Sequence, residues 1–332
     1  MRTRVSRAAA ALLALAAPAA AQKPYAIPES PAFTYLNVTP AEISRPTTAS
    51  AFGANVLNGI NPAGQLQQGV ALDVAPWSFV SSLRISPVDY RTNRAKYALA
   101  NTQLSLATVR DAGDSANIDL GVGLRVTFFD HSDPMADTAF TNELTRRQLG
   151  CLPSNTTPAA RAAAVACQQQ QVAALRQEWL QDRGHWNDAS LSGAVAGGWR
   201  FTGGALDERE WSGFAAWATG ALPLGRGGQA VAQLRYDGRR GDAADGLSYG
   251  GRAFYGSAAM NAFVEVTGGK RPMTNGTRAQ WTGGLEFRAG DNLWISTGFG
   301  ARDTPAGEAR GVLVADLRWQ LADGPRIPLP GF

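Results

Sequence analysis

Two histidines, two cysteines and four methionines are all that 332 residues hold of these types. So few soft or imidazole ligands leave little from which a zinc, haem or iron–sulfur site could be built, and no metal or cofactor is expected. Charge is also sparse, at 17% of residues with a formal net charge of +4, and no block of Lys or Arg marks a nucleic-acid partner. Long apolar runs are missing as well. Beyond residue 22 no segment approaches the roughly 20 apolar residues that a membrane-spanning helix needs. A helical membrane protein is thereby excluded. The remaining choices are an exported soluble chain or one that crosses a membrane with strands.

The N-terminus indicates export. Residues 1–22 read MRTRVSRAAAALLALAAPAAAQ, with Arg2, Arg4 and Arg7 ahead of a short Ala/Leu run and small residues before Gln22. This is the three-part pattern of a secretory signal peptide, with cleavage expected after Ala21, so residues 1–21 are set apart from the fold. Cys151 and Cys167 then lie close together in an exported chain, which predicts one disulfide, two free buried thiols being the alternative.

Alternation dominates the rest. From 278 to 288 Ala279, Trp281, Leu285 and Phe287 interleave with Arg278, Gln280, Glu286 and Arg288. From 292 to 302 Leu293, Ile295 and Phe299 interleave with Asn292, Ser296 and Arg302, and Ala289 to Asp291 are read as the turn between. A period of two is that of a strand with unlike faces. Similar runs occupy 116–129, 189–201, 229–238, 247–256, 258–269 and 309–321, with weaker ones at 69–77, 97–110 and 210–222. The total is about eleven strands, many close to the 9 to 11 residues that a tilted strand needs to cross a bilayer.

A soluble sandwich would bury the apolar face between two sheets, whereas a barrel turns it to lipid. Three features favour the barrel. The strands exceed the usual sandwich length. Trp199, Trp211, Tyr236, Tyr249, Tyr255 and Trp319 sit on the apolar face near strand ends, where amphipathic rings mark membrane interfaces. Short connections (PLGRGG, GSA, AGD) alternate with longer charged ones (GGALDERE, RRGDAADG, GKRPMTNG, RDTPAGEA).

With its export signal, its strands from 69 to 321, the final strand VLVADLRWQL and C-terminal Phe332, the chain resembles Gram-negative outer-membrane β-barrel proteins of porin-like type. The resemblance implies an all-β, antiparallel up-and-down barrel integral to the outer membrane, surrounded by outer-membrane lipid and inserted by the barrel-assembly machinery. In that family a terminal strand ending on an aromatic residue is the insertion signal. Here a Pro-rich tail, DGPRIPLPGF, follows the strand, so either Trp319 or Phe332 takes that role. Even strand numbers with both ends in the periplasm are usual, which turns eleven readable strands into about 12 (10–12). Counting back from the C-terminus puts the short turns in the periplasm, together with the long insert 131–187.

That insert, within a barrel domain at 67–332, reads as two helices, TAFTNELTRRQLG and AARAAAVACQQQQVAALRQEWLQ, stapled by Cys151–Cys167 at one rim. By chain entropy such a loop gains about 3 kcal/mol. The hairpin is also the surface through which a protein partner would dock. Residues 22–66 are expected to plug the barrel or to lie at its periplasmic mouth, with a short helix at TASAFGANVLNGI capped by Thr48 or Ser50.

No catalytic residues are assigned. His131 in FFDHSDP and His185 in DRGHWND bracket the insert, and beside Asp130, Ser132 and Asp133 they are the only candidates for a rim hydrolase. FDHSDP reads more simply as a turn that ends a strand at Pro134. The inward face says more. Parity gives it Arg125, Arg200, Arg235, Arg252, Arg278, Arg288, Arg302, Arg310 and Arg318, against Asp73, Asp119, Asp237, Glu265, Glu286 and Asp316. In a water-filled pore such arginines select anions. In a narrow barrel they pair with the acids and fill the space. The expected role is passage of small polar or anionic solutes. The alternatives are a structural barrel whose insert docks a partner, and the hydrolase.

Overall fold

The computed structural model describes residues 27–319 apart from 39–42, 47, 80–84, 112, 154–156, 182–186, 240–245, 258, 272–275, 291–292 and 304–308. The export signal, His185 and the C-terminal tail therefore lie outside the described residues, as does Asp291 of the turn read at Ala289 to Asp291. Eleven strands form one antiparallel up-and-down sheet in sequence order. They are β1 (Ala71–Val74), β2 (Thr102–Arg110), β3 (Ile118–Asp130), β4 (Ser190–Phe201), β5 (Arg209–Pro223), β6 (Gly228–Arg239), β7 (Gly246–Gly256), β8 (Met260–Arg271), β9 (Gly276–Gly290), β10 (Leu293–Asp303) and β11 (Ala309–Trp319). No helix among the described residues is long and apolar enough to cross a membrane.

The period-two reading survives every ladder because the pairings carry parity from strand to strand. Asp73 lies opposite Ser105, Ser105 opposite Gly123, Gly123 opposite Ala196, and Ala196 opposite Ala215. From Ala215 the row reaches Asp237 and then Gly246 on β7. On the same face of β7, Arg252 lies opposite Glu265, and that row runs on to Thr282 and Gly300. A slip of one residue would exchange the faces, so the three shifted registers matter, the first of them at Thr127/Phe129, where Phe129 comes opposite Leu191. A bulge at Gly198/Trp199 restores the pairing of Trp199 with Trp211, and one at Leu293/Trp294 sets Trp294 opposite Arg288.

Two expectations change at the N-terminal edge. The weak run 69–77 yields only the four residues of β1. The run 97–110 begins as helix: the Asn93 side chain accepts hydrogen bonds from the Ala95 and Lys96 amides, opening a helix over Arg94–Ala100 before β2 starts at Thr102. That cap and the helix-favouring Arg-Ala-Lys-Tyr-Ala-Leu-Ala outweigh four residues of alternation. In chain order the helices are α1 (Pro31–Leu36), α2 (Ala49–Asn58), α3 (Pro87–Thr92), α4 (Arg94–Ala100), α5 (Thr138–Leu149) and α6 (Pro158–Gln181). Of these, α2, α5 and α6 match the sequence reading, and Thr48 caps α2 by accepting from the Ala51 amide. Strand β9 takes in Ala289 and Gly290, where the sequence reads as turn, and Gly290 pairs with Leu293.

The insert stands at the same end of the sheet as the short β5–β6, β7–β8 and β9–β10 connections. Phe140, Leu144 and Leu175 form its core with Met135, Val172 and Trp179, and the Phe140 and Trp179 rings meet edge-on at 5.4 Å. Arg147 bridges α5 to α6 through Glu178 at 2.7 Å and to Glu143 at 2.8 Å. Cys151 and Cys167 are joined, 16 residues apart. Replacing both by Ser removes about 3 kcal/mol of chain-entropy constraint. We expect proteolysis between α5 and α6 to accelerate while the far-UV strand signal stays constant. Unchanged protease resistance would show that side-chain packing alone holds the hairpin.

Candidate functional site

One face of the sheet carries the charges and the other carries exposed apolar side chains. On the second, Leu124, Val195, Phe214, Leu234, Tyr249, Val264, Trp281, Phe299 and Leu313 are all exposed, from β3 to β11, with Leu313 at 83%. Tyr255, at 67%, and Trp211, at 40%, stand on this face toward strand ends, and Trp211 packs edge-on against Trp199 at 4.9 Å. On the opposite face short polar side chains are buried: Asn261, Thr282 and Ser296 on β8, β9 and β10. Helix α1 packs against β2, β3 and β4.

Several arginines assigned to this face are held by acids. Arg200 reaches Asp119 at 3.1 Å and Asp111 at 2.9 Å. Arg235 grips Asp237 through two nitrogens, at 2.7 and 2.8 Å. Arg252, only 5% exposed in its side chain, lies 2.7 Å from Glu286 on β9 and 3.6 Å from Glu265 on β8, with its guanidinium 4.0 Å from the Phe263 ring centroid. Arg125 stands in the field of Asp73 and Glu29. Arg302 and Arg310 face each other across the β10–β11 ladder, both exposed. Arg288 lies opposite Trp294. The ladder positions of Arg278, Asp316 and Arg318 fall in the same rows, opposite Gly269, Ser296 and Trp294, while their side chains lie outside the described residues. The acids thus tie up Arg200, Arg235 and Arg252, and the cationic positions cluster on β9, β10 and β11.

Sequence reasoning missed the seat of α1. The Ala32 amide donates to Ser105 Oγ at 2.9 Å, Ser30 Oγ donates to Asp73 Oδ2 at 3.1 Å, and Tyr35 and Ser212 share a hydroxyl contact of 3.1 Å. Tyr35 and Ile27 pack with Ala194, Ala196, Ala215 and Trp217, and Phe33 and Ala32 with Ala107. A Cβ at Gly123 would stand 2.6 Å from the Ala32 nitrogen, and one at Gly198 would stand 2.5 Å from the Tyr35 ring. The sequence did hold a signal: on β3, β4 and β5 the charged-face positions include the small residues Gly121, Gly123, Ala194, Ala196, Gly198, Gly213 and Ala215, where other strands carry long polar side chains.

Of the histidine candidates, His185 lies outside the described residues and His131 sits in a turn. Ser132 Oγ donates to Asp130 Oδ1 at 2.6 Å, and the His131 ring lies 5.5 Å from Phe129. FDHSDP is a turn, as its composition indicates. It also contains the most perturbed polar cluster outside the strands. Tyr90 on α3 donates to Asp133 at 2.6 Å, Asn101 donates to Tyr90 at 3.0 Å, and the Tyr90 and Tyr97 rings are 4.9 Å apart. Burial, then the Asp133 charge, pushes both phenols above their ordinary value, so both stay protonated donors. Burial also raises the Asp133 carboxyl, opposed by hydrogen bonds from Tyr90, the Met135 amide and Tyr97.

No family model matches the chain, and no curated protein matches it. Among solved structures the chain is similar to several mutants of the porin of Rhodopseudomonas blastica, including a triple mutant, each at 13% identity and a TM-score of 0.25. The match covers 68% of this chain and 57% of the porin, so the chain spans little more than half of the proteins it matches.

Two outcomes are expected. Arg252→Met leaves Glu265 and Glu286 without their shared cation and lowers unfolding stability by about 3–5 kcal/mol, read as a lower denaturant midpoint, whereas Arg302→Met on the exposed pair has little effect. Equal shifts for both would refute the assignment of Arg252 as the keystone pair. Because the folded Asp133 binds its proton at higher pH than the unfolded chain does, this group stabilises most in acid and loses that contribution as pH rises through the folded value. Resistance of residues 85–101 to protease should therefore fall as pH rises above the ordinary carboxylate range, and Asp133→Asn should flatten the dependence.

Proposed function

We propose that the sheet closes, β11 against the β1 edge, into an outer-membrane barrel whose charged face lines a passage for small polar or anionic solutes. The observation that carries this reading is the division of faces: large apolar side chains stand exposed from β3 to β11 while the charges gather on the reverse, where Arg200, Arg235 and Arg252 are paired with acids. A contiguous apolar surface of that extent is an aggregation hazard in water and a fitting surface for lipid. An open sheet in lipid would leave a row of backbone groups without partners at each edge, each at a cost of several kcal/mol, which closure removes. The preference for anions follows from the clustering of arginine positions on β9, β10 and β11.

A sealed barrel that docks a partner is the second reading. It is favoured by the ion pairs of Arg200, Arg235 and Arg252, and by Leu149, Leu152 and Val165, which stand exposed on and beside the stapled hairpin. We assign no catalytic role, the Ser132 and His131 contacts being those of a turn.

Purified protein in planar bilayers is expected to give steady ohmic conductance that passes chloride better than potassium. Arg288→Glu with Arg302→Glu should move the reversal potential toward cation preference. Silence from the full chain and from a chain lacking residues 27–38 alike would leave the docking barrel as the better reading.

A further inference from the structure

Resting on the channel reading, we infer that residues 27–38 are a resident obstruction of the passage, seated on a wall shaped for them, and that solutes travel along the half of the lumen formed by β6–β11. The two halves of the charged face are built from different residues. Across β2–β5 it presents Ser105, Ala107, Gly123, Ala196, Gly198 and Ala215, and α1 rests on them. Across β6–β11 it presents Arg235 held by Asp237, Arg252 held by Glu286, the buried Ser296 and the exposed Arg302. Water has no route between α1 and its seat. Ser105 and Ala215 are 0% exposed, as is Ala32 on the helix.

The seat is a fixed mount. Gly123 and Gly198 allow a closeness that any Cβ would forbid, and three hydrogen bonds, from Ser30, the Ala32 amide and Tyr35, reach three different strands, β1, β2 and β5. Phe33 and Tyr35, each 4% exposed, would be returned to water if the helix left. The element therefore narrows the passage permanently and leaves the arginine-bearing wall as the surface past which a solute must move, which is where its charge is read.

The test compares the full chain, a chain lacking residues 27–38, and Gly123→Leu, in which the helix cannot seat. Each is refolded, and its strand content is checked by circular dichroism. Both variants are expected to raise single-channel conductance at least twofold and to reduce the preference for chloride. In parallel, Ser105→Cys should react slowly with a water-soluble maleimide in the full chain and at least tenfold faster when residues 27–38 are deleted. The native cysteines are occupied in their disulfide. Unchanged conductance in both variants, beside a conducting full chain, overturns the obstruction and leaves the channel standing. Fast labelling of Ser105→Cys in the full chain also overturns it. Absence of current in all three forms rejects the channel and the obstruction together.

Discussion

Ladder pairing commits each strand to showing alternate residues to opposite sides, and in this chain the two sides are chemically incompatible with one solvent. Leu313 and Phe299 stand out on one side while Arg252 and Glu286 are bound to each other on the reverse. Register is consequently the constraint on which the rest depends. One residue of slip would put arginine where tryptophan stands, and only three register shifts, at Thr127/Phe129, Gly198/Trp199 and Leu293/Trp294, interrupt the described ladders. The aromatic pairs Trp199–Trp211 and Trp281–Phe299 add cross-strand contacts that favour the observed register.

The charged face follows a second rule. A guanidinium as withdrawn from water as Arg252 persists only with partners, and it has two carboxylates and an aromatic ring. Arg302 and Arg310, opposite one another and exposed, need none because water solvates both. A carboxylate within reach thus separates Arg200, Arg235 and Arg252, which hold the wall, from Arg302 and Arg310, which face each other across a ladder. The sequence puts all of them in one class.

Strands with strong alternation and large residues, such as β3 and β9, were legible to within a few residues, and so were the stapled hairpin and the Thr48 cap. Each of these depends on local chemistry. The misreadings fell at the N-terminal edge. Tyr97 and Leu99 alternate well enough to imitate a strand, and Asn93 decides the matter by capping a helix. The helix α1, six residues long and opened by Pro31, has too little periodicity to declare itself. Parity identified the inward arginines as a set, yet which acid each one grips depends on neighbours up to two strands away. Glu286, 34 residues from Arg252, is such a partner. The docking surface for α1 was written as small residues in alternate positions of β3, β4 and β5. Read without knowledge of a partner, those glycines and alanines look like weak strand.

The position of α1 in the chain has a bearing on assembly. It precedes all the strands, and its seat is made by β1–β5, those that follow it most directly, while β6–β11 contribute later in the chain. In a wall that closes, an element so tightly matched to the inside cannot be threaded in afterwards past Gly123 and Gly198. If the wall closes as proposed, the helix is taken up while the early strands are still an open ribbon, and the order of residues along the chain doubles as an order of construction.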